Sequence, residues 1–396
     1  MDKDTFTGNK DRYFGHRAPD VYLEDTFRLP RHSMFSTGVP VFIGLMSKPC
    51  EWIQKESTPM PHMLSLWAHF GRYIGSPSQD CWLAYAVRGF FENGGRRCYV
   101  AVLKDGSAES LDQALRTISR WNTIDLVCVP DLVKNPSTAV ELQQLVVNHC
   151  DTAGDRFAIL DTRLGDGNDH VWQQWSQIDG KNGAIYYPWV RVHGFGGETV
   201  LVPPSGYVAG VYARTDNAQG VHKAPANEPL RGVLGLERLL TNDDQAYLNP
   251  KRVNCIRSFP GRGIRVWGAR TLSGDDSWTY VNVRRLFLTA ARWIDWHMDS
   301  VVFEPNDAKL WARIERELTS YFLEVYRRGA LKGRTPQEAF YVRCNNQTNP
   351  PKVQELGQVV AEVGLAPAVP YEFIVVRLIH GISGVSISGP VRPEQH

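Results

Sequence analysis

Residues 86–103 read AVRGFFENGGRRCYVAVL. Their first part closes a helical pattern that spans 79–93. Gly94 and Gly95 stop it where left-handed backbone costs little, and 97–103 resumes as a strand. The same rhythm extends outward on both sides. Residues 41–46 are strand-like, 111–121 helical, 124–129 strand-like, 138–148 helical, 157–160 strand-like, 171–178 a weaker helix and 184–187 strand-like. Strands joined by helical crossovers predict an α/β fold with a mostly parallel sheet core and helices on both faces. Phe90 and Phe91 are expected in that core.

The chain has 396 residues, 43% of them hydrophobic and 22% charged, which suffices for one large or two ordinary domains. A net charge of +2 gives no support to nucleic-acid binding by the chain as a whole. Seven cysteines, Cys50, Cys81, Cys98, Cys128, Cys150, Cys255 and Cys344, show no CxxC spacing, and their odd number leaves at least one unpaired. Apolar surroundings such as LVCVP at Cys128 predict buried thiols and synthesis in a reducing compartment. The polar opening MDKDTFTGNKDRYFGHRAPD lacks the apolar core of a secretory signal, and no apolar run reaches the ~20 residues that span a bilayer. The expectation is a chain made in the cytoplasm without a signal peptide or direct membrane insertion.

An α/β core invites a search for chemistry. The loops hold no GxGxxG and no GxxxxGK[ST], and GFGGET at 194–199 lacks the lysine that would neutralise phosphate. Asp161, His193 and Ser205 follow the chain order of a subtilisin-type triad. Ser205, however, follows Pro203 and Pro204 and is expected in a loop, whereas a nucleophile of that kind opens a helix; the 193–205 spacing also leaves no room for a helix and a strand. The histidines are dispersed without HExxH, and Gly274, Asp275 and Asp276 lack the alternating oxygens of a calcium loop. No catalytic, cofactor or metal site is expected.

Residues 202–272 are crowded with Gly, Pro, Asn and Asp yet studded with Tyr, Val, Leu and Trp, and read as ordered irregular backbone. Beyond a boundary near 274–276 the spacing predicts a helix over 281–298, with Val283, Phe287, Ala290 and Ile294 on one face. A second helix is expected with Asn306 as N-cap, a stripe of Leu310, Ile314, Leu318, Tyr321 and Val325, and a stop at Gly329. Strands follow at 339–344, 359–365 and 373–379. Together they form a smaller α+β C-terminal domain.

PPSGYVAGVYARTD at 203–216, GVHKAPANEPLRGV at 220–233 and LNPKRVNCIRSFPGRGIRVWGARTL at 248–272 resemble the contractile tail sheath proteins of phage tails and phage-tail-like injection machines. Further likeness lies in 86–103, SWTYVNVRRLF at 277–287, FEPNDAKLWARIERELTSYF at 303–322, GALKGRTPQEAFYVRC at 329–344 and PDVYLED at 19–25. The resemblance implies a structural subunit without enzymatic activity or cofactor. It would form hexameric discs, stacked helically around an inner tube protein and joined by baseplate and terminal cap proteins, with sheath paralogues in some particles. It implies four parts: a strand-donating arm at 1–33, a central α/β domain at 34–274, a C-terminal α+β domain at 275–381 and a flexible tail at 382–396.

By composition alone the lead-in is either a frayed end or an arm that orders on a partner. The family's pattern makes Val21, Tyr22, Leu23 and Glu24 a strand added to a neighbouring subunit. At the other end Phe373, Ile374, Val375 and Val376 are apolar enough to seek a partner strand. Arg327, Arg328, Lys332 and Arg334 crowd one helix end. They are either a solvated basic turn or, on the family's pattern, the grip on the inner tube. Two other classes remain open: a cryptic or inactive subtilisin-like serine hydrolase, and a non-enzymatic adaptor. A chain near the minimal sheath length favours an injection device over a phage tail.

Overall fold

The central strands are continuous apolar runs, and each residue along them turns alternately to one of two cores. In the computed structural model, which describes residues 36–56, 58–165, 167–368, 374–381 and 384–391, Val41 and Ile43 of β1 (Pro40–Leu45) enter one apolar cluster while Phe42 enters the other. The same division holds along β3 (Cys98–Leu103), β4 (Leu126–Cys128), β5 (Phe157–Asp161) and β6 (Gly183–Tyr187). Burial on both faces is why these strands show no polar alternation.

The remaining strands before the boundary are β2 (His62–Leu64), β7 (Val190–His193), β8 (Thr199–Val202), β9 (Glu228–Pro229), β10 (Val233–Leu236), β11 (Val253–Phe259) and β12 (Gly263–Val266). Nine strands form one sheet in the order β2-β3-β1-β4-β5-β6-β11-β12-β9. The pairs from β3 to β11 are parallel, and β2, β12 and β9 add antiparallel edges. A separate antiparallel sheet has the order β10-β7-β8. Helices α1 (Trp82–Glu92), α2 (Ala108–Ile118), α3 (Ala139–Ala153) and α4 (Asn168–Trp175) fall within a few residues of their expected places.

The stretch 202–272 departs from expectation. Residues 205–219, read as irregular backbone, form α5 (Ser205–Gln219), and most of this helix is fully buried. Two physical facts hid it. A helix buried all round shows no apolar stripe, and its glycines serve close packing rather than turns. A Cβ at Gly206 would collide with the backbone of Ala86 in α1, and one at Gly210 would lie 2.6 Å from the Phe90 carbonyl oxygen. The helices therefore touch almost backbone to backbone. Tyr207 fills the space left by Gly89.

Helix α6 (Val281–Met298) matches its expected span, and Val283, Phe287, Ala290 and Ile294 are buried in a third core. In α7 (Ala308–Arg327) the cap is Asp307, not Asn306: its carboxylate accepts the Lys309 and Leu310 amides at 2.9 and 3.0 Å. Asn306 instead accepts the Trp311 indole N–H at 2.8 Å. Strands β13 (Phe340–Arg343), β14 (Val359–Leu365), β15 (Ile374–Gly381) and β16 (Gly384–Val391) form an antiparallel sheet in sequence order. The Gly/Ser-rich stretch expected as a flexible tail thus contains a strand.

The other faces of α6 carry buried arginines that reach residues before the boundary. Arg284 donates to Asn182 Oδ1 at 2.5 Å and Arg292 to the Asn122 carbonyl at 2.6 Å. Arg285 holds Asp216 with two bonds of 2.9 and 2.6 Å and reaches Asp125 at 3.1 Å. Asp125 in turn accepts the Gly38 and Val39 amides at 3.0 and 2.6 Å, fixing the entry to β1.

Gly206→Ala tests the α1–α5 contact. Alanine favours an exposed helix over glycine by ~1 kcal/mol, yet forcing a methyl into this contact costs about 1–3 kcal/mol or more. The variant should unfold at lower denaturant than the wild type; an unchanged or higher midpoint would show that the helices separate freely.

Candidate functional site

The three triad candidates do not assemble. Asp161 ends β5 and Ser205 opens α5, so Ser205 lies on a helix N-terminus and not in the expected loop; β8 also fits between His193 and Ser205. The physical reason is that Pro203 and Pro204 precede the helix without entering it, and proline is compatible with a helix start. The Ser205 N–H donates to Asp161 Oδ1 at 2.7 Å, so carboxylate and helix end meet directly. Ser205 has no exposed surface. His193 ends β7 with its side chain exposed, and its carbonyl accepts from Arg88. Nothing in this arrangement lets an imidazole relay a proton between Asp161 and Ser205.

Asp161 is itself unusual. Burial pushes its carboxyl up to about 7, opposed by the Ser205 hydrogen bonds and reinforced by Asp131. The two glutamine side chains beside it, Gln143 and Gln174, donate to its backbone carbonyl at 2.7 and 3.1 Å and carry no charge.

A doubly wound sheet offers a second place for a ligand. Here β1 lies between β3 and β4, and the reversal of strand order opens a crevice at their carboxyl ends. Asp131, in the tight turn Pro130–Lys134, accepts the Leu45 amide at 2.9 Å and pairs with Lys134 at 2.6 Å. Burial raises its carboxyl while Lys134 opposes the shift. Lys134 also sits 4.8 Å from the ring centre of Trp82, which meets Trp189 edge to face with centroids 4.9 Å apart. In the turn at 194–199 a Cβ at Gly194 or Gly196 would meet the Glu198 carboxylate, which repels phosphate.

Among the described residues no group of three or more His, Cys, Asp or Glu side chains could hold a metal. Asp275 caps the Ser277 amide at 2.9 Å and Asp276 pairs with Arg252 at 3.3 Å, so the acidic turn is structural. All seven cysteines are free, six of them buried, and among the described residues no helix is long and apolar enough to cross a membrane.

The assembly residues fare unevenly. Val21, Tyr22, Leu23, Glu24 and Phe373 lie outside the described residues. Ile374, Val375 and Val376 begin β15, paired to Leu365, Gly364 and Val363 of β14, with β16 on the other side. The outer strands of this sheet are therefore β13 and β16. Arg327, Arg328, Lys332 and Arg334 are all exposed around the turn after α7, where Gly329 adopts φ +77°. Arg328 is paired with Glu324 at 3.0 Å.

Residues 107–272 match the phage tail sheath protein central domain, and 273–379 match the phage tail sheath C-terminal domain. The chain belongs to the contractile tail sheath protein family. The helical sheath of the anti-feeding prophage (AFP) in its contracted state is 31% identical, with a TM-score of 0.72 over 91% of this chain and 98% of that one. The contracted sheath complex of PVC, an extracellular contractile injection system, is 28% identical, with a TM-score of 0.72 over 93% and 99%. The tail sheath protein of Enterobacteria phage T4 is 25% identical over 226 residues, 55% of this chain and 32% of that protein. A putative prophage major tail sheath protein of Pseudomonas aeruginosa (strain UCBPP-PA14) is 30% identical over 126 residues, 31% of this chain and 30% of that protein. The chain thus spans less than a third of the length of these curated relatives.

The Asp161 contact makes a pH prediction. The unfolded carboxyl ionises near 3.8 and the folded one near 7, so the folded chain keeps a proton the unfolded chain has released. Its stabilisation is complete below about pH 4 and is lost as pH rises through about 7. In Asp161→Asn that component should vanish, and the variant should gain on the wild type by a few kcal/mol from about pH 4 to about pH 8 in denaturant titrations. Parallel curves for the two proteins would place the carboxyl in the ordinary range.

Proposed function

We propose that this chain is the repeating subunit of a contractile sheath that surrounds an inner tube and drives it through a target envelope. The observation that carries the reading is the match over 98% of the AFP sheath chain at 31% identity. The match to the contracted PVC sheath over 99% of that chain favours an extracellular injection device over a phage tail. Subunits form hexameric discs stacked helically, with the inner tube, baseplate and terminal cap as partners. Head-to-tail contacts of this kind generate open helices. Neither catalysis nor a cofactor enters the mechanism, since the energy resides in the extended assembly and contraction is a rigid-body rearrangement.

Residues 1–33 serve as the arm that links subunits through Val21, Tyr22, Leu23 and Glu24, and Phe373, Ile374, Val375 and Val376 take part from the other end. Residues 34–274 form the central domain and 275–381 the C-terminal one. The outer edges of β13 and β16 can accept a neighbour's strand, while β15, paired on both sides here, enters a link by exchanging like pairings between copies. A backbone hydrogen bond nets about 1 kcal/mol, so a strand of about five residues contributes a few kcal/mol per link. Repetition makes the links a mesh. Removing residues 1–25 should leave a folded monomer that builds no long sheath in electron micrographs; normal sheaths from the shortened chain would exclude the arm from assembly.

Arg327, Arg328, Lys332 and Arg334 face the inner tube in this reading. Exposed ion pairs are worth roughly 0–1 kcal/mol each and become decisive only by repetition, and screening to ~3 Å at about 1 M salt should loosen them. Reversing the charge of Arg327 and Arg328 should leave a soluble monomer with working arms, whose sheaths lack tubes or contract early. Extended, tube-filled particles with unchanged salt tolerance would return these arginines to the role of a solvated turn.

A further inference from the structure

Residues 248–274 hold six basic side chains and no acidic one, although the whole chain carries only +2. Arg252 is paired with Asp276 at 3.3 Å. The arginines of the β11–β12 hairpin are held differently. β11 pairs with β6 only over Val253, Asn254 and Cys255, and from Ile256 to Phe259 it pairs with β12 alone. The hairpin therefore runs on past the end of β6, and burial falls from complete at Ile256 to exposed at 260–263.

At its projecting end the rings of Phe259 and Trp267 lie 4.5 Å apart. The Arg257 guanidinium sits 5.3 Å from the Phe259 ring centre, and Arg262 lies 5.6 and 5.7 Å from those of Phe259 and Trp267. Arg257 donates to Asn242 Oδ1 at 2.9 Å, Arg262 to Asn227 Oδ1 at 2.7 Å and Arg265 to the Asn227 carbonyl at 2.7 Å. Among the described residues these hydrogen-bond partners are neutral oxygens. Arg257 and Arg262 are thus held by rings and amides and Arg265 by hydrogen bonds, and among the described residues none of the three is paired with a carboxylate.

We propose that this hairpin end docks on carboxylates of a second copy of this chain, a surface additional to the arms. The inference rests on the sheath reading. Stacked, hydrogen-bonded arginines lose little side-chain freedom on binding, and arginine beside tryptophan is the composition of an energetic centre in protein interfaces. The occupant follows from charge. With the six basic residues of 248–274 set aside, the rest of the chain has 38 basic against 42 acidic residues, so each copy brings the acidic excess that another copy's hairpin lacks. A basic face meeting an acidic face elsewhere on the next copy is a head-to-tail contact, and such contacts extend without closing.

The test uses assembled particles from mixed isotopically light and heavy chains carrying Arg262→Lys and Arg265→Lys, treated with a zero-length carbodiimide that joins amines to carboxylates. The expected products are light-to-heavy peptides joining position 262 or 265 to an Asp or Glu. Products within one copy only, joined to a different protein, or absent altogether would overturn the proposal. In parallel, Arg257→Glu with Arg262→Glu should melt like the wild type yet reduce assembled protein at least about 10-fold, a loss expected of a surface contact repeated in every subunit. Full assembly by that variant would also overturn it. Wild-type chains that never form sheaths would reject the sheath reading itself, whereas normal sheaths with an unmodified position 262 reject the docking surface alone.

Discussion

One guanidinium joins parts of this chain that lie far apart in sequence. Arg285, on the helix after the boundary, is gripped by Asp216 at the end of the buried helix and touches Asp125 before β4, which binds the amides of Gly38 and Val39. Burial pushes the Asp216 carboxyl up and Arg285 opposes it; the guanidinium keeps its proton, so the cluster holds together as charge against charge. A buried pair of this kind adds little net stability over an apolar substitute, but leaving one member alone costs several kcal/mol. Its value lies in specificity. Any shift of α6 relative to α5, or of the entry to β1 relative to β4, would strand a charge in the interior.

Around that cluster the body is packed for stiffness. Gly38, at φ +72°, sits where a Cβ would lie 2.6 Å from the Ala213 backbone, so the chain enters β1 pressed against the buried helix. Tyr186 and Tyr212 share a 2.7 Å hydrogen bond in the same interior. At the end of β1, where an α/β sheet commonly admits ligands, Asp131 binds the Leu45 amide. On the proposed sheath reading, a subunit that transmits force as a rigid body benefits from such packing, because close-packed interiors transmit strain instead of absorbing it.

Much of the fold was legible in the sequence because its central strands and outer helices obey simple periods. The run CYVAVL and the stop at Gly94 and Gly95 announce β3 and the end of α1, and Val283, Phe287, Ala290 and Ile294 announce one face of α6. The same residues that carry the family likeness also hid structure. GYVAG reads as loop because glycine is common in turns, yet here it is the contact between two helices. The periodicity of α6 assigned its arginines no role, and only the tertiary structure shows them bonded to Asn182, Asp216 and Asn122. A signal for this was present, since VNVRRLFLTAAR sets its three arginines in a mostly apolar run. Sequence alone offered no partner for them.

What the sequence determined by itself was therefore the class of fold, the order of its main elements and membership in a family, since each depends on local periodicity or on long runs of matching residues. Tertiary structure decided the rest: that Ser205 opens a sealed helix against Asp161, that Asp307 and not Asn306 caps α7, and that among the described residues three arginines of one hairpin pair with no carboxylate. These outcomes depend on which residues meet across long separations in the chain, and a one-dimensional pattern carries no distance between them.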